Sequence, residues 1–305
     1  MFFYLEWKDK RPSICKLINE RPKSYNFTSQ FKVKGFENEI NLYGNISDNF
    51  IEYYPDPKKL YKKDQYLQSH LQKCIRRKDQ FRAIKTAKHL LDLDMTKFLR
   101  RLPIIMLEDV CIHESIIVII WLMVAVNKGF RIRCEMVKWL LGVVNYLSNE
   151  DYKQYYSKLE TNIIPPENHG FKDIIYSLKI RKSYGGMKGD MQMIEYYINQ
   201  IIDHEIIPKN DKIYIIKINN MKPLEHKEWI YQANDFHCNK YILPKTRGYI
   251  KNKKKYTEDY IKELIWIFSS SINTRVIIMN DEKKEKDWLE IKKIVKYIQK
   301  SCVFY

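Results

Sequence analysis

Glycine and proline are scarce in this chain, nine and ten in 305 residues, which excludes collagen-like repeats and long disordered tracts. With 45 % hydrophobic and 30 % charged residues, the chain is expected to fold throughout, as one large domain or as two to three smaller ones. Its six cysteines, Cys15, Cys74, Cys111, Cys134, Cys238 and Cys302, lie singly with no CxxC pair. That spacing excludes a disulfide framework of the secreted type and points to a reducing, intracellular compartment, cytoplasmic or nuclear. Long hydrophobic runs are missing too: the most apolar stretch, Ile116 to Val126, has eleven residues, against about 20 for a membrane-spanning helix. A core helix and no membrane partner are expected. The amino-terminal MFFYLEWKDKRP is broken by Glu6, Lys8 and Asp9 and does not read as a secretory leader. No GxxxxGK[ST] string occurs, so the glycine amides and lysine that would cradle a triphosphate are absent. ATP hydrolysis by this chain is therefore not expected, no cofactor is implied, and no internal repeat is visible.

What the chain has in excess is positive charge, a formal +17. Such a field favours polyanions, nucleic acid or an acidic membrane surface. The basic residues divide into 42 Lys and 12 Arg, and the chain is rich in Ile, Asn and Tyr as well. AT-rich codons, as in a large DNA virus, encode those residues, so part of the lysine excess has a genomic explanation on a merely solvated surface. Clustered arginine does not: seven of the twelve lie between 76 and 133.

The hydrophobic pattern reads as a mainly α protein. A small N-terminal β-hairpin unit (1–58) is followed by a central helical bundle (59–160) and a C-terminal α+β part (161–305). Phe31 and Val33, then Ile40 and Leu42, flank a turn around Gly35 and Asn38 and suggest a two-stranded hairpin. Pro55 and Pro57 close that unit. From Lys62 the period becomes helical: Leu67, Leu71 and Ile75, then Phe81, Ile84, Ala87 and Leu91, with a break near Lys78-Asp79. Asp92 to Thr96 supplies a helix start before Phe98, Leu99, Leu102, Ile105 and Met106, with Pro103 placed to kink that helix or to mark its first turn. Ser115 is the expected cap of the apolar helix 116–127, Gly129 its end, and Met136 to Leu147 repeats the pattern. Residues 161–170 read as a linker. Helices follow at 171–182, 190–204, 257–268 and, Lys-rich, at 285–300, with KIYIIKI at 212–218 strand-like.

The segment DQYLQSHLQKCIRRKDQFRAIKTAKHLL, followed by FLRRLPIIMLEDV and the apolar helix, resembles the helical collar domain of the MgsA/RarA group of clamp-loader-related ATPases. Lys73, Ile75, Arg76, Ala83, Ala87, Arg100, Arg101, Leu102, Glu108, Asp109 and Val110 fall on that family's pattern, over about residues 64–150. Cys74, Pro103 and Cys111 depart from it. The resemblance implies a helical layout and self-assembly, without the ATPase that stands beside the domain in the family.

Four groups of residues are candidates for chemistry. Between 62 and 101 twelve Lys and Arg face four Asp and no Glu. Within that segment Arg76, Arg77, Lys78, Arg82 and Lys85 form either a phosphate-contacting face, since guanidinium groups take phosphate oxygens bidentately, or internal scaffold. Arg100 and Arg101 are more readily internal partners of Glu108 and Asp109. The stretch 240–255 interleaves Tyr241 and Tyr249 with Lys240, Lys245, Arg247, Lys251, Lys253, Lys254 and Lys255. It reads either as a flexible loop clamping single-stranded nucleic acid by phosphate neutralisation and base stacking, or as a solvated surface loop. Gly185, Gly186, Lys188 and Gly189 before a helix offer a phosphate cradle or a tight turn with Asp190 as cap. Asp235 and His237 are metal-ligand types that would need distant partners such as His204, Glu205 or His226, or else a buried pair that organises the fold.

The leading expectation is a non-catalytic nucleic-acid-binding replication or repair accessory protein with a homo-oligomer or protein partner. A metal-dependent nuclease centred on Asp235 and His237, and a structural subunit that binds only protein, are the alternatives.

Overall fold

The computed structural model describes every residue except 35, 37, 38, 57–62, 151–168, 219–220, 270–280 and 303–305, together with all side chains in the described part but those of 169, 170 and 226. The expected turn residues Gly35 and Asn38, the boundary near 58 and the linker up to residue 168 lie outside the described residues. The protein is mainly α with an N-terminal β unit, as its periodicity implies.

Four strands, β1 (Phe2–Trp7), β2 (Ile14–Ile18), β3 (Phe27–Phe31) and β4 (Ile40–Ile46), form one sheet in the order β2-β1-β4-β3. The expected hairpin is β3 with β4, antiparallel with Phe31 opposite Ile40. It is half of a larger sheet, because β1 pairs parallel to β4 and antiparallel to β2. Phe3, Leu5 and Trp7 alternate inward along β1 and are fully buried, the period-2 pattern of a strand with one face on a core. Phe2, Tyr4 and Glu6 are the outward residues of that alternation.

Among the described residues ten helices follow: α1 (Asp64–Arg76), α2 (Gln80–Leu93), α3 (Met95–Asp109), α4 (Ser115–Asn127), α5 (Cys134–Asn149), α6 (His169–Ser183), α7 (Lys188–Ile202), α8 (Ile242–Tyr249), α9 (Glu258–Phe268) and α10 (Glu282–Cys302). The breaks have local causes. Lys78 takes a left-handed φ of 55° between α1 and α2, and the Asp79 carboxylate accepts the Arg82 N–H at 3.2 Å. Asp94 caps α3 through the Lys97 N–H at 2.9 Å, and Gly129, at φ 87°, ends α4. Pro103 sits inside α3 rather than in its first turn. Beside it, Arg181 Nε donates to the Arg100 carbonyl at 2.9 Å.

Two expected caps are corrected. Ser115 is the first residue of α4 and its hydroxyl caps nothing. The cap is His113, whose Nδ1 accepts the Ser115 N–H at 3.0 Å while its Nε2 meets the Asp211 carbonyl at 2.9 Å. Nδ1 must carry the lone pair, so the proton is on Nε2, which donates to the carbonyl. Burial lowers the His113 pKa and favours this neutral form. Asp190 lies in the first turn of α7, behind the cap residue Met187.

α4 is buried on every side, as its continuous apolar sequence requires. It packs on the sheet, and Trp121 Nε1 donates to the carbonyls of Phe3 (3.2 Å) and Tyr43 (3.1 Å) on neighbouring strands. Gly44 in β4 makes room for that indole: a Cβ there would lie 3.0 Å from the Trp121 ring.

The expected strand at 212–218 does not form. Its Ile213 is buried against the helical bundle, and the Ile216 N–H donates to the Lys138 carbonyl of α5 at 3.0 Å. The segment's backbone crosses a helix instead of joining a sheet edge. Gly142 allows this, since a Cβ at that position would run into the Tyr214 backbone.

One hydrophobic core joins the sheet to α1–α7 and reaches Ile230. A second, built by Ile242, Ile250, Tyr256, Ile261, Leu264, Ile265, Ile291, Val295, Ile298 and Cys302, belongs to α8, α9 and α10. The first core ends along the chain at Ile230 and the second begins at Ile242. Among the described residues no helix is long and apolar enough to cross a membrane.

Candidate nucleic-acid interface

The arginine-rich segment of α1 and α2 is largely turned into the fold. Arg76, whose side chain is 9 % exposed, pairs through Nη2 with Glu108 at 2.9 Å and through Nε with Asp109. Gln72 Nε2 donates to the same two carboxylates at 2.8 and 2.7 Å. Arg101 completes this buried network, reaching Gln72 and, at 3.3 Å, Asp190. α1, α3 and α7 are thereby locked together, and Arg76 acts as scaffold. Arg82 pairs with Asp79 at 2.5 Å and donates to the Glu228 carbonyl at 2.7 Å. Lys85 pairs with the Glu228 carboxylate at 3.2 Å and lies over the Phe81 ring. Arg77 and Lys78 are exposed at the turn between α1 and α2. A single phosphate-contacting face from 76 to 85 is therefore not assembled, because three of its five members already meet protein acceptors.

Arg100 does not join Glu108 and Asp109. It donates to the carbonyls of Tyr184 (2.8 Å) and Gly185 (3.3 Å), and Arg181 Nη1 also reaches Gly185 at 2.9 Å. The glycine turn thus presents carbonyls to the protein's own arginines. Gly185, at φ 71°, needs glycine for that backbone conformation, while Lys188 and Gly189 are exposed at the start of α7.

Asp235 and His237 come together, but as a structural pair. Asp235 Oδ1 accepts the His237 N–H at 2.9 Å and lies 3.3 Å from its Nδ1, while Oδ2 meets Lys73 at 3.2 Å. Burial alone would raise the Asp235 pKa, but the His237 hydrogen bonds and the Lys73 charge outweigh it and hold the carboxyl at about 2. His204 and Glu205 are not brought to this pair, and the His226 side chain lies outside the described residues. Among the described residues no group of three His, Cys, Asp or Glu is placed to hold a metal ion.

The C-terminal stretch differs in kind. Expected as a flexible loop, it is half helix: α8 runs from Ile242 to Tyr249, anchored by Ile242 and Thr246, both fully buried. Burial of every fourth residue on one side turns the intervening residues outward. Tyr241 and Tyr249 are 56 % and 61 % exposed, Lys245 is exposed, and Lys251, Lys253 and Lys254 follow on an exposed turn. Lys255 departs from the group: it pairs with Asp287 at 2.6 Å and Glu290 at 3.1 Å, hydrogen bonds that raise its pKa.

α10 packs against α8 and extends the surface. Tyr297, also 58 % exposed, meets Tyr249 edge to face with ring centroids 5.9 Å apart. Lys292, Lys293, Lys296 and Lys300 are exposed on this helix, and Lys300 lies 5.3 Å from the Tyr231 ring centroid. Residues 240–254 and 291–302 together hold ten cations and no Asp or Glu. None of these ten is within ion-pair distance of a carboxylate among the described residues. Arg247 is the one guanidinium in the set, and its Nε is shielded from water with no acceptor.

In the sequence α10 reads only as a Lys-rich helix. The spacing Lys293, Tyr297, Lys300, at i, i+4 and i+7, places those residues on one helix face, which was the signal available; pairing of that face with α8 was not.

Compared with protein-family models, with curated proteins and with solved structures, the chain finds no match.

Proposed function

We propose that the protein is a non-catalytic nucleic-acid-binding accessory protein whose principal contact is the surface of α8, the turn after it and α10. One observation carries this reading: among the described residues, the ten cations of 240–254 and 291–302, which span α8, the turn after it and the C-terminal half of α10, have no carboxylate within ion-pair distance, and the same stretches carry three exposed tyrosines. Codon bias accounts for lysine in general, but not for ten cations left without an ion-pair partner among the described residues while Lys73, Arg76, Arg82, Lys85 and Lys88 of α1 and α2 are paired. Phosphate is the polyanion chemistry that such a surface fits, by charge neutralisation and counterion release. Service in replication or repair, and self-assembly through residues 64–150, rest on the resemblance to the clamp-loader collar.

The test is binding of labelled DNA and RNA as a function of salt. Affinity should fall steeply as salt rises, and a Lys251→Ala/Lys253→Ala/Lys254→Ala variant should bind more weakly with a shallower salt slope, each lost phosphate contact lowering the slope by roughly one unit. Unchanged binding and slope in that variant would move the contact elsewhere. A nuclease built on Asp235 would need a carboxylate open to a metal, and both its oxygens already have protein partners. Cleavage of labelled oligonucleotides in Mg²⁺ or Mn²⁺ would revive that reading.

A further inference from the structure

The same surface carries information about which form of nucleic acid it takes. We infer that it selects unpaired strands, stacking exposed bases on Tyr249, Tyr297 and Tyr241 while the surrounding lysines hold the phosphates. This inference rests on the nucleic-acid reading above and adds the strandedness of the ligand.

A tyrosine ring left more than half exposed leaves apolar area in water, and each of these rings is between 56 % and 61 % exposed. Tyr249 and Tyr297 meet edge to face at 69°, so one ring's edge covers at most one face of the other. At least one broad π-face on this pair remains open to solvent. Among the described residues the Lys240 ammonium lies above the Tyr241 ring, at 5.2 Å, a group on a long side chain that a base can displace.

A duplex cannot use these features. Its bases are paired and stacked inward, so a protein surface meets phosphates, sugars and base edges but no free base face. Reading edges in the major groove takes a helix that presents bidentate side chains such as Arg, Asn or Gln. α8 is only eight residues long, holds Pro244 and Gly248 within them, and carries one such side chain, Arg247, whose Nε is shielded from water. An unpaired strand offers what the surface lacks: every base has a free face for an aromatic ring, and stacking of this kind tolerates any sequence. Tyr241 and Tyr249 are eight residues apart, about 12 Å along the helix at 1.5 Å per residue. The base step in a duplex is about 3.4 Å, so two bases stacked on these rings would be separated along a strand rather than adjacent in a stack. Lys245, Lys251, Lys253 and Lys254 are exposed on α8 and the turn after it. Arg247, with no carboxylate partner and a shielded Nε, adds a guanidinium for which a phosphate would be the counter-charge.

The experiment compares a fluorescein-labelled oligo(dT) strand, an abasic strand of the same length and a mixed-sequence duplex of that length, by anisotropy at one fixed salt concentration. Four variants are measured beside the native chain: Tyr249→Ala, Tyr297→Ala, Tyr249→Phe/Tyr297→Phe and Lys253→Ala/Lys254→Ala. The expected result is tighter binding of oligo(dT) than of the duplex. Each Tyr→Ala change should weaken oligo(dT) binding by about fivefold or more and leave the duplex and the abasic strand unchanged, whereas the Phe pair binds like the native protein. The lysine variant should weaken all three ligands alike. Equal binding of strand and duplex, with tyrosine variants indifferent, overturns the strandedness and leaves nucleic-acid binding standing. Failure of all three ligands to bind, with capture instead by phosphatidylserine vesicles, overturns both. Because the tyrosines are exposed, their variants keep the native fold, and unchanged circular dichroism and melting temperature check this.

Discussion

Lys73 Nζ lies 3.2 Å from Asp235 Oδ2 with the two side chains 4 % and 11 % exposed, so one buried ion pair ties α1 to the segment that leads into the second core. Tyr66 supports it by donating to the Ile230 carbonyl at 3.0 Å, and His70 accepts the Ile230 N–H at 2.9 Å. These polar contacts join the C-terminal helices to the helical body together with the apolar cluster of Tyr66, Trp229, Tyr231 and Ala233.

Removing one partner of the ion pair should be costly. Asp235→Asn leaves Lys73 charged and buried without its counter-charge, and a loss of about 3–5 kcal/mol is expected. Urea unfolding measures it as a lower midpoint. A Lys73→Met/Asp235→Asn double variant should recover a large part of the loss, since neither charge then remains buried alone.

His70 sets a pH dependence. Its Nε2 accepts from Ile230 and its Nδ1 lies 2.8 Å from the Thr86 hydroxyl, so the fold needs the neutral ring. Burial, with Arg82, Arg77 and Lys73 nearby, lowers its pKa from 6.5 to about 3. The unfolded chain therefore takes up a proton that the folded chain refuses. This contribution to stability is complete above pH 6.5 and is lost as pH falls from there toward 3, with a slope approaching about 1.4 kcal/mol per pH unit. Unfolding free energy measured across that window should show the slope, and His70→Asn should flatten it.

Gly142 is a packing requirement. Gly142→Ala would place a methyl group against the Tyr214 backbone, 3.0 Å from its carbonyl carbon, so the crossing segment must shift. A destabilisation of about 1–3 kcal/mol is expected, where an exposed helical glycine replaced by alanine would gain stability. Thermal melting of the variant decides the sign.

The two basic clusters should respond oppositely to neutralisation. Arg76→Ala leaves Glu108 and Asp109 without their guanidinium in a buried site and should lower stability by about 3–5 kcal/mol. Lys253→Ala and Lys254→Ala should leave the melting temperature within the narrow range of ordinary surface substitutions and weaken nucleic-acid binding instead. Parallel melting and binding titrations on the same samples separate the two effects.

Helix positions were legible wherever a stripe of apolar residues and a local stop signal coincided, as with Lys78-Asp79 between α1 and α2, Asp94 before α3 and Gly129 after α4. The outcomes that differed involve partners distant in sequence. His113 caps α4 because its other nitrogen is held by Asp211, nearly a hundred residues on, and nothing near Ser115 signals that. KIYIIKI has the composition of a strand, but strand formation needs a neighbouring edge, and the segment meets α5 instead. Of the candidate contact residues, Tyr241, Lys245, Tyr249, Lys251, Lys253 and Lys254 fall on the exposed surface. Arg76 and Lys255 have charge patterns no different in sequence and turn out to be internally paired.

Composition and periodicity by themselves determined the helical class, the N-terminal β unit and the excess of positive charge, because these follow from intrinsic side-chain properties and from spacing along a local helix or strand. Which charges remain available was decided only by the tertiary structure. A cation loses its attraction for an outside anion when a carboxylate reaches it, and whether one does depends on elements brought together from distant parts of the chain. Packing sets Glu108 and Asp109 against Arg76 and, among the described residues, brings no carboxylate within ion-pair distance of Lys253 or Lys254.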